Sequence, residues 1–185
     1  MKFVLLIGIG IYFYSRIALF YFKKSSDVNN RKYYFFLLVI EVLVVCLVIY
    51  QLFINSIRWN LISFLKVPGI IIFITGVLIS VIARLALGSL NWQTGRSLSK
   101  PKFLVKTGIY SWIRHPIYLG TWLMGIGFEI VLSSWLILAV IFLGFPFIWY
   151  CSYKEEKYLL KWFGEKYQTY KENTNWFIPI KRLLK

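Results

Sequence analysis

The chain has 185 residues, 59% of them hydrophobic, and a mean hydropathy of +0.66, too apolar for a soluble domain of this size. Its net charge of +15 fits lysines and arginines gathered beside anionic lipid in cytoplasmic loops better than it fits nucleic-acid binding. Apolar runs of about 20 residues recur, the length that crosses a bilayer, so the expected fold is all-α: a polytopic membrane helical bundle of about five transmembrane helices plus a C-terminal amphipathic helix, in a single domain over 1–185.

In chain order, Met1-Lys2 opens an apolar run with no small-residue cleavage site. It reads as a retained first span, Phe3–Phe22, with Arg16 snorkelling at the far end. A basic loop over 23–32 leads to a second span, Tyr33–Phe53. This span carries Glu41, an intramembrane carboxylate that marks either a function or a pairing with Arg16. The connector Asn55–Lys66 holds Trp59, an interface anchor.

The third span is expected over Val67–Leu90, with Arg84 facing the bundle mouth or snorkelling. Asn91–His115 is the longest polar segment and contains five Lys/Arg and no acid. His115, the single histidine, stands between Arg114 and Pro116. Proline in a first helical turn costs no hydrogen bond, so Pro116 reads as a helix start with His115 at its mouth. The free N–H groups there suit an anionic group. The fourth span, Pro116–Leu132, contains Gly120, Gly125 and Gly127, small residues that admit a close neighbour helix.

Ser133-Ser134 reads as a tight turn into a fifth span, Trp135–Tyr153, kinked by Pro146. After Lys154 the pattern changes. Leu159, Phe163, Tyr167 and Tyr170 repeat at helical spacing among Lys and Glu, which predicts an amphipathic helix on the membrane surface or capping the bundle, divided at Gly164. Cys46 and Cys151 fall in different apolar runs. With no C-x-x-C and one histidine there is no metal signature.

The loop over 23–32, the segment 91–115 and the tail hold 4, 5 and 8 Lys/Arg, against Lys2, Arg58 and Lys66 on the other side. The positive-inside rule then puts the N-terminus outside and the C-terminus in the cytoplasm. The hairpin between spans four and five makes their far ends neighbours. Both arguments bring Arg114-His115 to Glu155-Glu156.

The residues Thr107-Gly108-Ile109-Tyr110-x-x-x-Arg114-His115-Pro116-x-Tyr118-x-Gly120 carry a motif. Glu155-Glu156-x-x-Leu159-x-x-x-Phe163-Gly164-x-x-Tyr167-x-x-Tyr170 and Ile178-Pro179 continue it, and Arg84-x-Ala86-Leu87-Gly88-x-x-x-Trp92 precedes it. This pattern resembles the isoprenylcysteine carboxyl methyltransferase family and its relatives among phospholipid and small-thiol methyltransferases. The resemblance covers roughly 81–180. It implies S-adenosyl-L-methionine as methyl donor, in a pocket built from the Arg-His-Pro loop, the last helices and the tail. His115, Tyr118, Glu155 and Glu156 match family positions residue by residue. Many members have Pro where Ile109 stands, and an Arg just before the acidic pair where this chain has Lys154.

Methyl transfer from a sulfonium is an in-line displacement that needs alignment and a dry pocket, and no metal. Glu155 or Glu156 suits the ammonium or ribose of the cofactor. Tyr110, Tyr118, Trp112 and Trp149 offer faces to the sulfonium. The expected roles are cofactor binding for His115, Tyr118, Tyr110, Glu155 and Glu156, and a catalytic part for Arg114, Glu156 and Arg84. Arg84, Arg114 and Lys154 favour an acceptor with a carboxylate head. The expected substrate is lipid-like or prenylated, because a site at the cytoplasmic interface concentrates tailed molecules. A phospholipid amine and a small thiol are alternative acceptors. A non-enzymatic lipid-binding protein and a small channel are rival classes, the channel disfavoured by the nearly all-apolar first two spans. The sequence carries no signal for oligomeric state.

Overall fold

The structure is a computed structural model that describes residues 7, 9, 10, 46, 50, 63–91, 101, 103–133 and 140–177. The first two expected spans, apart from five isolated helical positions, lie outside the described residues, as do Arg16, Glu41, Trp59, Ser134 and Ile178-Pro179. Among the described residues every element is helical, and the one extended pairing is an isolated parallel bridge between Ile113 and Asn175.

A 3-10 turn, Ser63–Leu65, opens α1, Lys66–Asn91. α1 is apolar almost all round. Phe73, Val77, Ser80, Ala83 and Arg84 are buried, while Val67, Ile71, Ile74, Leu78, Ile82 and Leu85 are exposed. Lys66–Gly88 is long and apolar enough to cross a membrane. At Gly88 the backbone leaves the helical region, with φ 65° and ψ 172°.

α2, Pro116–Leu132, starts and ends at the expected residues, with Pro116 in its first turn. It runs antiparallel to α1, and the two meet along a seam of small residues. A Cβ on Gly76 would fall 2.6 Å from the Gly120 carbonyl, and one on Gly127 would overlap the Phe73 backbone nitrogen. Glycine on both helices therefore lets the backbones touch, as expected for Gly120 and Gly127. Phe73, Val77, Met124, Phe128, Val131 and Leu132 fill the core around this seam.

A π-helical turn, Val140–Gly144, leads into α3, Phe145–Phe163. Proline has no N–H for the carbonyl four residues back, so the helix widens just ahead of Pro146. α3 is one continuous helix. Span five and the amphipathic helix were expected to be separate elements divided near Lys154. The polarity of the side chains changes there, but Lys154-Glu155-Glu156-Lys157 contains no helix breaker and the backbone runs on. The division falls at Gly164, as expected, where φ is 53°. Its N–H donates to the Leu160 carbonyl at 2.8 Å and closes α3. α4, Glu165–Asn173, then turns back over the motif loop. Leu159, Tyr167 and Tyr170 form a second small core with Leu104, Trp162 and Phe163.

Candidate active site

The loop before α2 is held by the chain that follows α4. The Arg114 N–H donates to the Asn175 carbonyl at 2.8 Å, and the Asn175 N–H to the Trp112 carbonyl at 3.3 Å. The His115 N–H donates to the Trp176 carbonyl at 3.3 Å. The Trp176 indole N–H donates to Ser152 Oγ at 3.1 Å, which pins this strap to α3. The Tyr170 hydroxyl donates to the Tyr110 carbonyl at 2.7 Å and fixes the 3-10 turn Gly108–Ser111. The pattern Leu159, Phe163, Tyr167, Tyr170 thus caps the bundle over the motif loop.

Arg114, His115 and the two glutamates meet, as the sequence predicts. Arg114 Nε donates to Glu156 Oε1 at 2.7 Å, and Nη1 donates to the carbonyls of Thr174 at 2.5 Å and Lys171 at 3.1 Å. Lys171 Nζ lies 2.8 Å from Glu156 Oε2. His115 Nε2 is 3.2 Å from Glu156 Oε1, and Nδ1 is 3.8 Å from Glu155 Oε2. The His115 ring also faces Tyr118 at 5.8 Å and Trp176 at 6.4 Å between centroids.

The two acids differ in kind. Burial pushes the Glu156 carboxyl up, but hydrogen bonds from His115, Lys171 and Arg114 outweigh it and hold the group well below the usual carboxylate range. Burial also raises Glu155. The His115 ring and a hydrogen bond from Tyr118 offset only part of that, and the charge of Glu156 pushes it up further, so Glu155 titrates above the usual range. Burial raises the phenols of Tyr110, Tyr167 and Tyr170 as well, so all three stay protonated donors at neutral pH.

Beside this cluster lies a cavity of about 340 Å³, within the range of small-molecule sites. Arg84, Tyr110, Arg114, His115, Tyr118, Glu155, Tyr167 and Tyr170 form its polar wall. Leu87, Leu104, Ile117, Phe147, Ile148 and Leu159 supply much of its apolar lining. Of the residues expected to bind the cofactor or to take a catalytic part, all but Glu156 line the cavity. Glu156 stands behind it and ties Arg114, His115 and Lys171 together. Trp112 and Trp149 do not line it. Both are exposed, and Trp149 stacks on Tyr153. Lys154 is exposed too, with Nζ 4.7 Å from the Tyr150 ring centroid, and does not join Arg84 and Arg114 at the cavity as expected. One helical turn cannot point Lys154 and Glu155 the same way.

Tyr167 was not singled out as a site residue. Its side chain is 1% exposed, and its hydroxyl has no hydrogen-bond partner among the described residues. The signal was its place in Phe-Gly-x-x-Tyr-x-x-Tyr, which the amphipathic reading absorbed.

The donor set fits S-adenosyl-L-methionine. Glu155 is an acceptor for an ammonium or ribose hydroxyl, Arg84 is a cation for a carboxylate, and tyrosine rings suit a sulfonium. The Tyr167 hydroxyl, buried without a partner among the described residues, would be satisfied by a polar group of the cofactor.

The sequence profile of the phospholipid methyltransferase family matches residues 64–166. The protein-S-isoprenylcysteine O-methyltransferase of Saccharomyces cerevisiae is 42% identical over 78 residues, which are 42% of this chain and 33% of that protein. The Xenopus laevis protein of the same name is 32% identical over 121 residues, 64% of this chain and 42% of that one. The solved structure of a eukaryotic intramembrane Ras methyltransferase, an isoprenylcysteine carboxyl methyltransferase, superposes with a TM-score of 0.58 at 33% identity. That match covers 64% of this chain and 43% of that one. The chain thus spans less than half the length of these relatives. With more than half of its residues inside the family profile, the chain belongs to the phospholipid methyltransferase family, and its similarity runs to the isoprenylcysteine carboxyl methyltransferases.

Proposed function

We propose that the chain is an S-adenosyl-L-methionine-dependent methyltransferase, embedded in a membrane with its N-terminus outside and its C-terminus cytoplasmic. It acts on an amphiphilic acceptor, a prenylated cysteine carboxylate first. The observation that carries this is the make-up of the cavity wall: Arg84, His115, Tyr118, Glu155 and Tyr167 together with an apolar lining that includes Leu87, Ile117, Phe147 and Ile148. Five spans agree with the apolar runs and the loop charges.

When bound, the cofactor supplies a methyl group on a cationic sulfonium, electrophilic enough for a carboxylate to attack without a metal. The chain's residues then have these tasks. Glu155 would accept hydrogen bonds from the cofactor's ammonium or ribose. Tyr118 and Tyr110, which line the cavity, would hold the sulfonium with their aromatic rings. His115 Nδ1 stands 3.8 Å from Glu155 Oε2, next to the acid that would hold the cofactor. Arg84 and Arg114 attract and orient the acceptor carboxylate, and their positive field favours its ionised, nucleophilic form. Glu156 keeps Arg114 and His115 aligned from behind. Burial by α4 and the strap excludes water, so alignment does the catalytic work.

The apolar flank lies between two helices expected to cross the membrane. A tailed acceptor enters there with its tail in hydrocarbon, each buried methylene adding about 0.8 kcal/mol. The family description favours a phospholipid amine as the second choice of acceptor. The test is to incubate the protein, in lipid, with labelled methyl donor and three acceptor types: prenylcysteine analogues of graded tail length, a phosphatidylethanolamine and a short thiol. Label should enter the prenylcysteine carboxyl with efficiency that climbs with tail length before levelling off. A flat series, or a soluble thiol used equally well, refutes the lipid-carboxylate reading. Failure to bind the cofactor or its demethylated product at all refutes the enzyme.

A further inference from the structure

His115 sits at a junction. Its carbonyl accepts the first bond of α2, from the Leu119 N–H at 3.1 Å, while its own N–H is given to the Trp176 carbonyl at 3.3 Å. Its backbone, at φ −123° and ψ 56°, is not helical. The helix alone therefore does not dictate where the imidazole stands, and the strap after α4 has a share in it.

Trp176 is the strap residue that meets His115 twice. Besides the backbone bond, its indole stands edge-on to the His115 ring, with centroids 6.4 Å apart and planes at 73°. The indole is itself fixed from three sides. It stacks on Phe177 at 4.1 Å, meets Phe145 of α3 in a T-shaped contact at 6.0 Å, and donates its N–H to Ser152 Oγ at 3.1 Å. Ser152 is fully buried on α3, one turn ahead of Glu156, and its hydroxyl proton goes to the Trp149 carbonyl at 2.8 Å. A hydroxyl whose proton is committed offers a lone pair, so Ser152 is an acceptor for the indole. Trp176 does not line the cavity, and its route to the site runs through His115.

We propose that Trp176 is a positioning residue: tethered to Ser152, it fixes the imidazole of His115 beside Glu155 and Glu156. The tether and the Arg114–Glu156 bond then fasten the motif loop to α3 at two points one turn apart. The inference rests on reading the cavity as the methyl donor's site, and adds what sets His115 in place there.

The charge of Glu155 reports that position. Around it stand His115 and Tyr118 at the start of α2, Tyr110 in the 3-10 turn, Glu156 on its own helix and Tyr167 and Tyr170 on α4, with Arg84 and Arg114 on the same cavity wall. Burial raises the Glu155 carboxyl, and His115 is the larger of the two influences that offset it. An imidazole that drifts gives up part of that offset. Glu155 then takes its proton at a higher pH, and the acidic limb of cofactor binding moves up with it.

The experiment uses the full chain in lipid, with Trp176→Phe, Ser152→Ala and the double variant. Trp176→Phe keeps an aromatic ring and drops the N–H, whereas Ser152→Ala drops the acceptor. Thermal midpoints, and titrations with the demethylated cofactor from neutral into acidic pH, are measured for each. Each single variant should bind about three- to tenfold more weakly at neutral pH, the worth of one hydrogen bond. Its acidic limb should lie at higher pH than the parent's. The double variant should bind no more weakly than the weaker single, since all three lose the same bond. Single variants that lower the thermal midpoint but keep the parent's affinity overturn the inference and leave the tether a brace of the fold. A limb that stays at the parent's pH, or losses that add in the double variant, overturn it as well. If one single variant fails to fold, the affinity and the limb of the other decide. A parent that binds no demethylated cofactor removes the enzyme reading, and the inference with it.

Discussion

Arg114 Nε donates to Oε1 of Glu156 at 2.7 Å, and that bond ties the loop ahead of α2 to the middle of α3. The guanidinium also caps the end of α4 through the carbonyls of Lys171 and Thr174. Three elements are therefore fastened at one ion pair, which lies beside the cavity while Glu155 lines it. The neighbouring glutamates divide the work: Glu156 holds the site together, and Glu155 faces what enters it.

That division predicts opposite effects of the same substitution. Glu156→Gln leaves Arg114 and Lys171 with a neutral partner and should destabilise the protein by about 1–3 kcal/mol. Glu155→Gln replaces a carboxyl already pushed toward its neutral form, so stability at neutral pH should hold or rise. Affinity for the demethylated cofactor should instead fall by about 1–3 kcal/mol. Denaturation curves and binding titrations on both variants read this out. A Glu155→Gln protein with undiminished binding would remove Glu155 from the cofactor site.

Two tyrosines three residues apart make a second pair. The Tyr170 hydroxyl donates to the Tyr110 carbonyl, so Tyr170→Phe strands a buried acceptor and should cost about 1–3 kcal/mol. The Tyr167 hydroxyl is buried with no partner among the described residues. Tyr167→Phe should therefore leave the ligand-free protein as stable as before or more so, while weakening ligand binding. Equal losses of stability in the two variants would show that Tyr167 has a structural partner.

Much of this was legible in local chemistry. Pro116 marks a helix start because its ring presets φ, Gly164 marks a break because it accepts positive φ, and Gly120 and Gly127 mark the seam because a methyl would not fit. The meeting of His115 with Glu155 and Glu156 followed from loop charge and the hairpin. What stayed hidden depends on contacts distant in sequence. The bridge between Ile113 and Asn175 leaves no periodic trace, and backbone carbonyls of Lys171 and Thr174 that hold Arg114 have no residue signature. The continuity of α3 past Lys154 was obscured because hydropathy reports surroundings, not backbone. Tyr167 repeats at the same helical spacing as Phe163 and Tyr170, so its unpartnered hydroxyl could not be told from a packing ring.

The expected topology places Ser26, Ser99 and Asn173 on one side of the membrane, the cytoplasmic side. Single cysteines at these positions, with Cys46 and Cys151 replaced, should react with a membrane-impermeant thiol reagent only after the cytoplasmic face is opened. Labelling of Ser99→Cys from outside would separate segment 91–115 from the tail and contradict the site that joins them.

The two acids also predict the pH dependence of stability. In the unfolded chain both titrate near the usual glutamate value of about 4.3. Glu156 is held lower in the folded protein, so its contribution is fully present above that value and is lost as pH falls below it. Glu155 is held higher when folded, so its charge opposes folding at neutral pH. That opposition is relieved as pH falls through the raised folded value toward about 4.3, because the folded state then takes up a proton that the unfolded chain does not. The two signs are opposite, and single variants separate them. Unfolding free energies measured between about pH 3 and 8 should show Glu155→Gln above the parent at neutral pH, with the gap closing as pH falls toward 4.3. Glu156→Gln should lie below the parent at neutral pH, and its shortfall should shrink below about pH 4.3, where the unfolded parent takes up a proton at Glu156 that the folded parent does not. A Glu155→Gln curve that runs parallel to the parent at every pH would show that Glu155 titrates alike folded and unfolded. The contrast between an acid that faces the cavity and one that braces it would then fail.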